Sequence, residues 1–399
     1  MLALLLCPQF NCSQITGPIK RTLQIKKLLE ACGYSTIIAC KNPPDNSCIY
    51  HHSSEFNKLL TKCALIYADA YHMASFRINN RTSAIKLVDL YIPFFIEHKF
   101  SLPLRYSGTE LRDKFQMDQV YLTESLSKGD LFLAAGQRQI DLYTGLLNLF
   151  DNRYNLNFPI IDLPFYLKPS STPEKSKNKS HIAWVGGAWH WFDIKSIIQP
   201  IENWISEDLG NKFSFMGISH PSHKALHDSE QVSLAYKLAQ QYPNQIEIIP
   251  WMQYEEYCNW LQNLDAAIIM SCQGIESRFS IRTRFTELLE RQIPIFCNDG
   301  DYFSDWIKKY QLGVIVEPGN LREELNSFLS GDLKLSASYE ELYQNHSFEN
   351  ILNKLNSLLK NEPEKRVSNN NPYLKLQVKK FYYVKRKLRQ IVRDIFKIK

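Results

Sequence analysis

Apolar runs of roughly four to eight residues recur along this chain and alternate with segments whose apolar positions fall at helical spacing. In the first part the runs are Met1–Cys7, Ser35–Cys40, Cys63–Tyr67, Ala84–Tyr91, Leu131–Ala135 and Ile160–Leu163, with a predicted helix over Ile19–Ala31 that ends before Gly33. Such alternation predicts a parallel, doubly wound α/β sheet. The stretch from Lys168 to Ser180, KPSSTPEKSKNKS, has the Pro, Ser and Lys content of an exposed linker. A second alternating set follows at His181–Val185, Lys212–Met216, Gln245–Ile249, Ala266–Met270, Ile293–Cys297 and Val314–Val316. The pattern therefore predicts a first Rossmann-like unit over residues 1–168, a second over 169–360, and a linker with a basic tail over 361–399.

The densest candidate chemistry runs from Glu276 to Gly300, ESRFSIRTRFTELLERQIPIFCNDG. Ile281, Phe285, Leu288 and Leu289 recur at i, i+4, i+7 and i+8, which predicts a helix that buries one stripe and leaves Arg282, Arg284 and Glu287 off it, free for chemistry. Pro294 closes the helix, Ile293–Cys297 has strand composition, and Asn298, Asp299 and Gly300 make the turn after it. That order brings backbone N–H groups, guanidinium groups and a carboxylate to one edge of a parallel sheet, where a nucleotide diphosphate binds well. Gly186 and Gly187 stand at another strand end, and either let backbone amides approach an anion or make a tight turn without a ligand. One of the two arginines has a simpler alternative, pairing with Glu287 or Glu290 on the helix surface.

Phe279-Ser-Ile-Arg-Thr-Arg284, with the Pro-led strand and acidic turn behind it, resembles the donor-binding segment of GT-B glycosyltransferases of the family 4 type, most closely a bacterial subgroup with an F-S-x-R-T-R motif. Val185–Asp193, VGGAWHWFD, is similar to that subgroup's glycine-rich loop, and Asp130–Gly145, DLFLAAGQRQIDLYTG, to the stretch near the end of its first domain. The resemblance spans roughly residues 1 to 330. It implies a GT-B fold, two Rossmann-like doubly wound domains facing a cleft, and transfer of a sugar from a nucleotide sugar to a bacterial polysaccharide, lipopolysaccharide or lipid-linked glycan. It also implies retention of anomeric configuration and no bound metal or other cofactor.

The same resemblance assigns roles. Glu287 lies seven residues before Pro294, as does the second glutamate of the family's Glu-x7-Glu pattern, which binds the donor ribose; the first would fall at Phe279, where this sequence departs. Many relatives carry an Arg and a Lys after the glycine-rich strand. This loop has neither, so Arg282 and Arg284 are the natural clamps for the diphosphate. Trp251, between Pro250 and Met252, either stacks on the base or belongs to the interdomain core. Gly17 and Pro18, before Lys20 and Arg21, look like the family's loop that covers the donor phosphates from the first domain, or are a plain turn. Asp89, near the place of a histidine in many relatives, is the candidate for orienting an acceptor or donor hydroxyl. Glu97, His72, Gln137 and Arg138 are further acceptor-side candidates, and no covalent nucleophile emerges. His220 and His223 have a metal-like spacing but no third ligand follows, so a surface loop is the expectation. Two other readings compete: a catalytically silent GT-B-like scaffold for a glycan or partner, and a nucleotide-sugar epimerase of similar fold.

Composition narrows the setting. A chain of 399 residues with 44% hydrophobic content suits two ordinary domains. No apolar run reaches the about 18 to 20 residues of a spanning helix. Met1–Pro8 lacks a basic start and reads as a buried first strand instead of a signal peptide. The nine cysteines include no C-x-x-C, and Cys7, Cys63 and Cys297 sit in apolar stretches, so a reducing, cytoplasmic compartment is expected.

The net charge of +6 is local: residues 372–399 hold ten Lys or Arg against Asp394 alone, which makes that segment +9 and leaves −3 for the rest. Leu374, Val378, Phe381, Tyr382, Val384, Leu388, Ile391, Val392, Ile395 and Phe396 recur at roughly helical spacing among these cations, the pattern of a helix lying on the anionic inner face of a plasma membrane. The plain alternative is a final helix packed on the body of the protein. Nucleic acid is disfavoured because no recognition motif accompanies the charge. If the tail docks on lipid, full-length protein co-sediments with vesicles containing acidic lipid, and each engaged cation adds about 1 kcal/mol that fades with salt. A chain ending at Glu364 then stays in the supernatant and remains folded. Equal pelleting of the two chains contradicts the membrane role.

Overall fold

The computed structural model describes residues 1–11, 15–45, 47–78, 81–150, 159–170, 180–219 and 229–360. The basic tail, the middle of the predicted linker and the His220–His223 pair lie outside the described residues. Seven strands form the first sheet: β1 Leu2–Leu6, β2 Ser35–Cys40, β3 Cys48–Tyr50, β4 Leu65–Asp69, β5 Ile85–Asp89, β6 Leu131–Ala134 and β7 Ile160–Asp162. Six form the second: β8 His181–Val185, β9 Lys212–Met216, β10 Ile246–Ile249, β11 Ala266–Ile269, β12 Ile295–Cys297 and β13 Gly313–Ile315. Their orders are β3-β2-β1-β4-β5-β6-β7 and β10-β9-β8-β11-β12-β13, with parallel neighbours throughout.

The strands read as unbroken apolar runs because helices cover both faces of each sheet. Along β1, Leu4 and Leu6 enter one core with Ile66, Val88 and Phe132, while Ala3 and Leu5 enter the opposite one with Leu65, Leu87 and Leu131. Register fixes this arrangement, with Leu4 opposite Ile37 on one side and Ile66 on the other. In the second sheet Ile182 lies between Phe213 and Ala266. Cys7, Cys63 and Cys297 are buried, as their apolar settings require. Among the described residues no helix is long and apolar enough to cross a membrane.

In each sheet the order reverses beside its first strand, between β1 and β4 and again between β8 and β11. At such a point the connections leave in opposite directions and open a crevice beyond the carboxyl ends of the strands. The β1 end leads to the helix Gly17–Ala31, and the β8 end leads to Gly186 and Gly187.

Three features differ from the expected pattern. β3 was not anticipated, since three residues carry too little periodicity to read. The predicted helix around Ile281 is split into Ile275–Phe279 and Thr283–Glu290, joined by extended backbone at Ser280 (φ −82, ψ 141) and Arg282 (φ −86, ψ 97), so Ile281 precedes the second helix. The helix Phe348–Lys360, assigned by its place in the chain to the second unit, buries Ile351, Leu355 and Leu358 in the core under the first sheet. Its apolar stripe identifies a buried face without identifying the sheet it covers. Because that stripe closes the first core, Leu355→Ala should cost about 2–5 kcal/mol. Urea unfolding reads it as a lowered midpoint, and an unchanged midpoint contradicts this packing.

Candidate functional site

The second sheet's crevice is built around a pair of arginines with opposite fates. Arg282 donates from Nη1 and Nη2 to the two oxygens of Glu276 at 2.6 and 2.5 Å, and from Nε to Asp301 at 3.2 Å. Asp301 also accepts from Ser271 Oγ at 2.9 Å, and Ser271 exchanges hydrogen bonds with the Asn298 side chain at 2.9 and 2.7 Å. The ends of β11 and β12 and the split helix are thereby fastened together. Burial opposes the Arg282 charge, but the hydrogen bonds of Glu276 and the charge of Asp301 outweigh it and raise its pKa.

Arg284, two residues on, has no such partner. Its Nη2 donates to the carbonyl of Gly187 at 3.1 Å, while its Nη1 is buried without a hydrogen bond. The guanidinium lies 4.0 Å from the Phe192 ring centroid, a cation–π contact that holds its plane. Burial and then the neighbouring Arg282 push its pKa down to about 9. Gly186 permits this approach twice over: its φ is 94°, and a Cβ there would stand 2.9 Å from Arg284 Cζ. Among the described residues the N–H groups of Gly187, Thr283 and Arg284 make no hydrogen bond, while the next, Phe285, donates to the Arg282 carbonyl at 3.0 Å. A buried cation thus meets the glycine turn after β8 near a helix start with unused amides, the composition of an anion site.

The first domain closes over this region. Gly17 packs so tightly on Thr283 that a Cβ would meet its side chain at 3.0 Å. Lys20 donates to Thr286 Oγ1 at 2.7 Å and Glu287 Oε1 at 2.9 Å, with Glu290 at 3.5 Å. Burial pulls the Lys20 pKa down, but the charges of Glu287 and Glu290 prevail and leave it raised. Gln139 bridges the Tyr91 and Phe279 carbonyls, both at 2.8 Å, and Arg138 reaches the Gly300 carbonyl at 3.2 Å and Asp305 at 2.6 Å. Trp251 stands against Gly217, whose Cβ would be 3.3 Å from the indole, and Gly217 in turn neighbours Gly186.

No protein-family profile matches this sequence, and no curated protein does. Solved structures do. WaaG, a glycosyltransferase involved in lipopolysaccharide biosynthesis, superposes with TM-score 0.60 over 90% of this chain and 100% of its own, at 11% identity. A glycosyltransferase from Rickettsia africae gives TM-score 0.57, 16% identity, and coverage of 90% and 99%. Staphylococcus aureus TarM, solved with UDP, gives TM-score 0.50 and 15% identity over 82% of this chain, which spans only 55% of TarM's length.

The fold is GT-B.

Within the GT-B frame the expected residues separate. Gly186, Gly187 and Arg284 meet beyond the end of β8, Trp251 packs on Gly217 beside Gly186, and Gly17 and Glu287 both sit at the contact between the domains. Arg282 is not free for chemistry: it is buried and committed to Glu276 and Asp301, because a loop bent back between two strand ends has to neutralise the carboxylates it encloses. Asp89 is not available either. It is fully buried and accepts from Arg21 Nε at 2.8 Å, Tyr67 OH at 2.7 Å and the Tyr91 N–H at 3.2 Å, a structural ion pair at the end of β5. His72 pairs with Asp69 at 2.5 Å, and Gln137 with Asp141 on its own helix. Asp193 caps the turn before Lys195 by accepting from the Ser196 N–H, and Trp189 stacks on Trp191. The parts that sequence reading missed are Lys20 as a cross-domain tie, Gln139 and Asp301. Each acts on partners far away in sequence, so no local pattern marks it.

This division predicts unequal mutants. Arg282→Ala leaves two buried carboxylates unpaired and should cost about 3–5 kcal/mol in a urea titration. Arg284→Ala removes an uncompensated cation and should leave the midpoint nearly unchanged. The reverse ranking contradicts the assignment of the two arginines.

Proposed function

We propose that this chain is a glycosyltransferase that binds a nucleotide diphosphate sugar between its domains. In this reading it passes the sugar to a bacterial polysaccharide, lipopolysaccharide or lipid-linked glycan at the inner face of the membrane. The observation that carries the reading is the buried, half-satisfied guanidinium of Arg284, aimed at the Gly186–Gly187 turn beside unused amides. A charge left uncompensated inside a protein is costly unless a ligand of opposite sign completes it. The diphosphate of a sugar donor is such a ligand. That WaaG and TarM share this fold and are described with lipopolysaccharide and with UDP agrees with this substrate class.

The chain's own residues then divide the work. Arg284 and the N–H groups opening the helix Thr283–Glu290 hold the leaving diphosphate and stabilise the negative charge that grows on it as the sugar bond breaks. Glu287 accepts from the ribose hydroxyls, and Trp251 stacks on the base. Gly17 and the start of its helix cover the phosphates from the first domain and exclude water. Retention of configuration and independence from metal are proposed on the family 4 resemblance.

Calorimetry with UDP, GDP and ADP tests the reading. One of them should bind the wild type, and Arg284→Met should weaken it tenfold to about 150-fold, the roughly 1.5–3 kcal/mol of a charged hydrogen bond. Equal affinity in the variant contradicts the phosphate role of Arg284. Binding of none of the three to the wild type contradicts the nucleotide site.

A further inference from the structure

Among the described residues, one carboxylate at the domain junction stands apart from the ion pairs there. Glu276 and Asp301 are taken by Arg282, Glu287 and Glu290 by Lys20, and Asp89 by Arg21. Glu97, in the helix Phe94–Ser101 just beyond β5, has no cation in bonding distance, and among the described residues its carboxyl receives one hydrogen bond, a long 3.5 Å contact from Ser280 Oγ. Ser280 opens the extended link of the second domain that leads, through Arg282, into the helix carrying Arg284. Glu97 therefore reaches across the junction to the same segment that carries the unpaired guanidinium.

We propose that Glu97 binds a hydroxyl of the sugar being transferred and thereby selects the donor; this deepens the glycosyltransferase reading and rests on it. Two groups left incomplete by the protein are tied to neighbouring parts of one segment: the Glu97 carboxylate touches Ser280 at its start, and the Arg284 guanidinium belongs to the first turn of the helix that follows. From Ser280 to Arg284 is at most about 14 Å of extended chain. A diphosphate on Arg284 projects its attached sugar along that link, and a carboxylate with free lone pairs is a strong acceptor for sugar hydroxyls. The polar surroundings fit a site awaiting a ligand. Burial, then the charge of Glu276, hold the Glu97 carboxyl up to about 7, while Arg282, His98 and the Ser280 hydroxyl pull it down less. Tyr91 and Tyr143 face it from the first domain, and the hydroxyls of both are buried without partners. A carboxyl poised near neutrality gains full acceptor strength when a hydroxyl donates to its ionised form.

The test compares wild type with Glu97→Gln, which keeps shape and removes the charge. Calorimetry measures each nucleoside diphosphate and its sugar conjugate, using UDP with UDP-glucose and UDP-N-acetylglucosamine, and GDP with GDP-mannose. The expected result is that the variant binds the free diphosphate within twofold of wild type and loses at least tenfold in affinity for the conjugate and in its turnover. The wild-type preference for conjugate over diphosphate should rise between pH 6 and pH 8 and be flat in the variant. A merely structural Glu97 changes both ligands alike and leaves no pH signature, and that outcome overturns the proposal. Conjugate binding unchanged in the variant overturns it while leaving the glycosyltransferase reading intact. Failure of the wild type to bind any diphosphate or conjugate overturns both.

Discussion

The guanidinium of Arg282, closed on Glu276 by two hydrogen bonds and on Asp301 by a third, is the interaction on which the cleft depends. It bends the chain back at Ser280–Arg282, interrupts what would be a continuous helix, and anchors the bend to the turn after β12. Only with that bend in place does the helix Thr283–Glu290 start where its first turn meets the Gly186 loop. Buried charges tolerate such a position when they are fully paired, and they penalise any rearrangement that separates them. The bend is thus rigid because its electrostatics are satisfied, and it holds an unsatisfied neighbour in place.

From this follows a division between structural and available charge. Arg21 with Asp89, and Arg282 with Glu276 and Asp301, are closed sets that fix strand ends. Lys20 with Glu287 and Glu290 is a closed set of another kind, since its members come from different domains. It ties the first helix to the helix Thr283–Glu290 of the second domain, so any ligand that engages Glu287 competes with Lys20 for that carboxylate. Among the described residues Arg284, at the point where the order of the second sheet reverses, stays open together with Glu97 across the junction. Fold topology and charge accounting, two unrelated constraints, arrive at the same crevice.

Much of this was legible in the sequence. Apolar runs marked nearly every strand, and His181–Val185 and Lys212–Met216 were read to the residue, because buried parallel strands have few other sequences open to them. The glycines at 186 and 187 and the Arg282–Arg284 pair stood out by composition. Their roles did not separate, since periodicity says which residues leave the apolar stripe and nothing about what they meet afterwards. Arg282 and Asp89 read as free charges and are instead buried in ion pairs, because Glu276, Asp301 and Arg21 reach them only through the folded chain. The helix Phe348–Lys360 shows the same limit at the scale of whole elements: Ile351, Leu355 and Leu358 announce a buried face, and the sheet they cover is chosen by the path of the chain.

The most direct measurement is a crystal structure of the chain soaked with the nucleoside diphosphate that stabilises it best. The account predicts phosphate oxygens within hydrogen-bond distance of Arg284 Nη1 and of the Gly187 N–H, with Arg282 still closed on Glu276 and Asp301. A diphosphate bound elsewhere, or one that draws Arg282 away from its carboxylates while Arg284 stays unpaired, contradicts it.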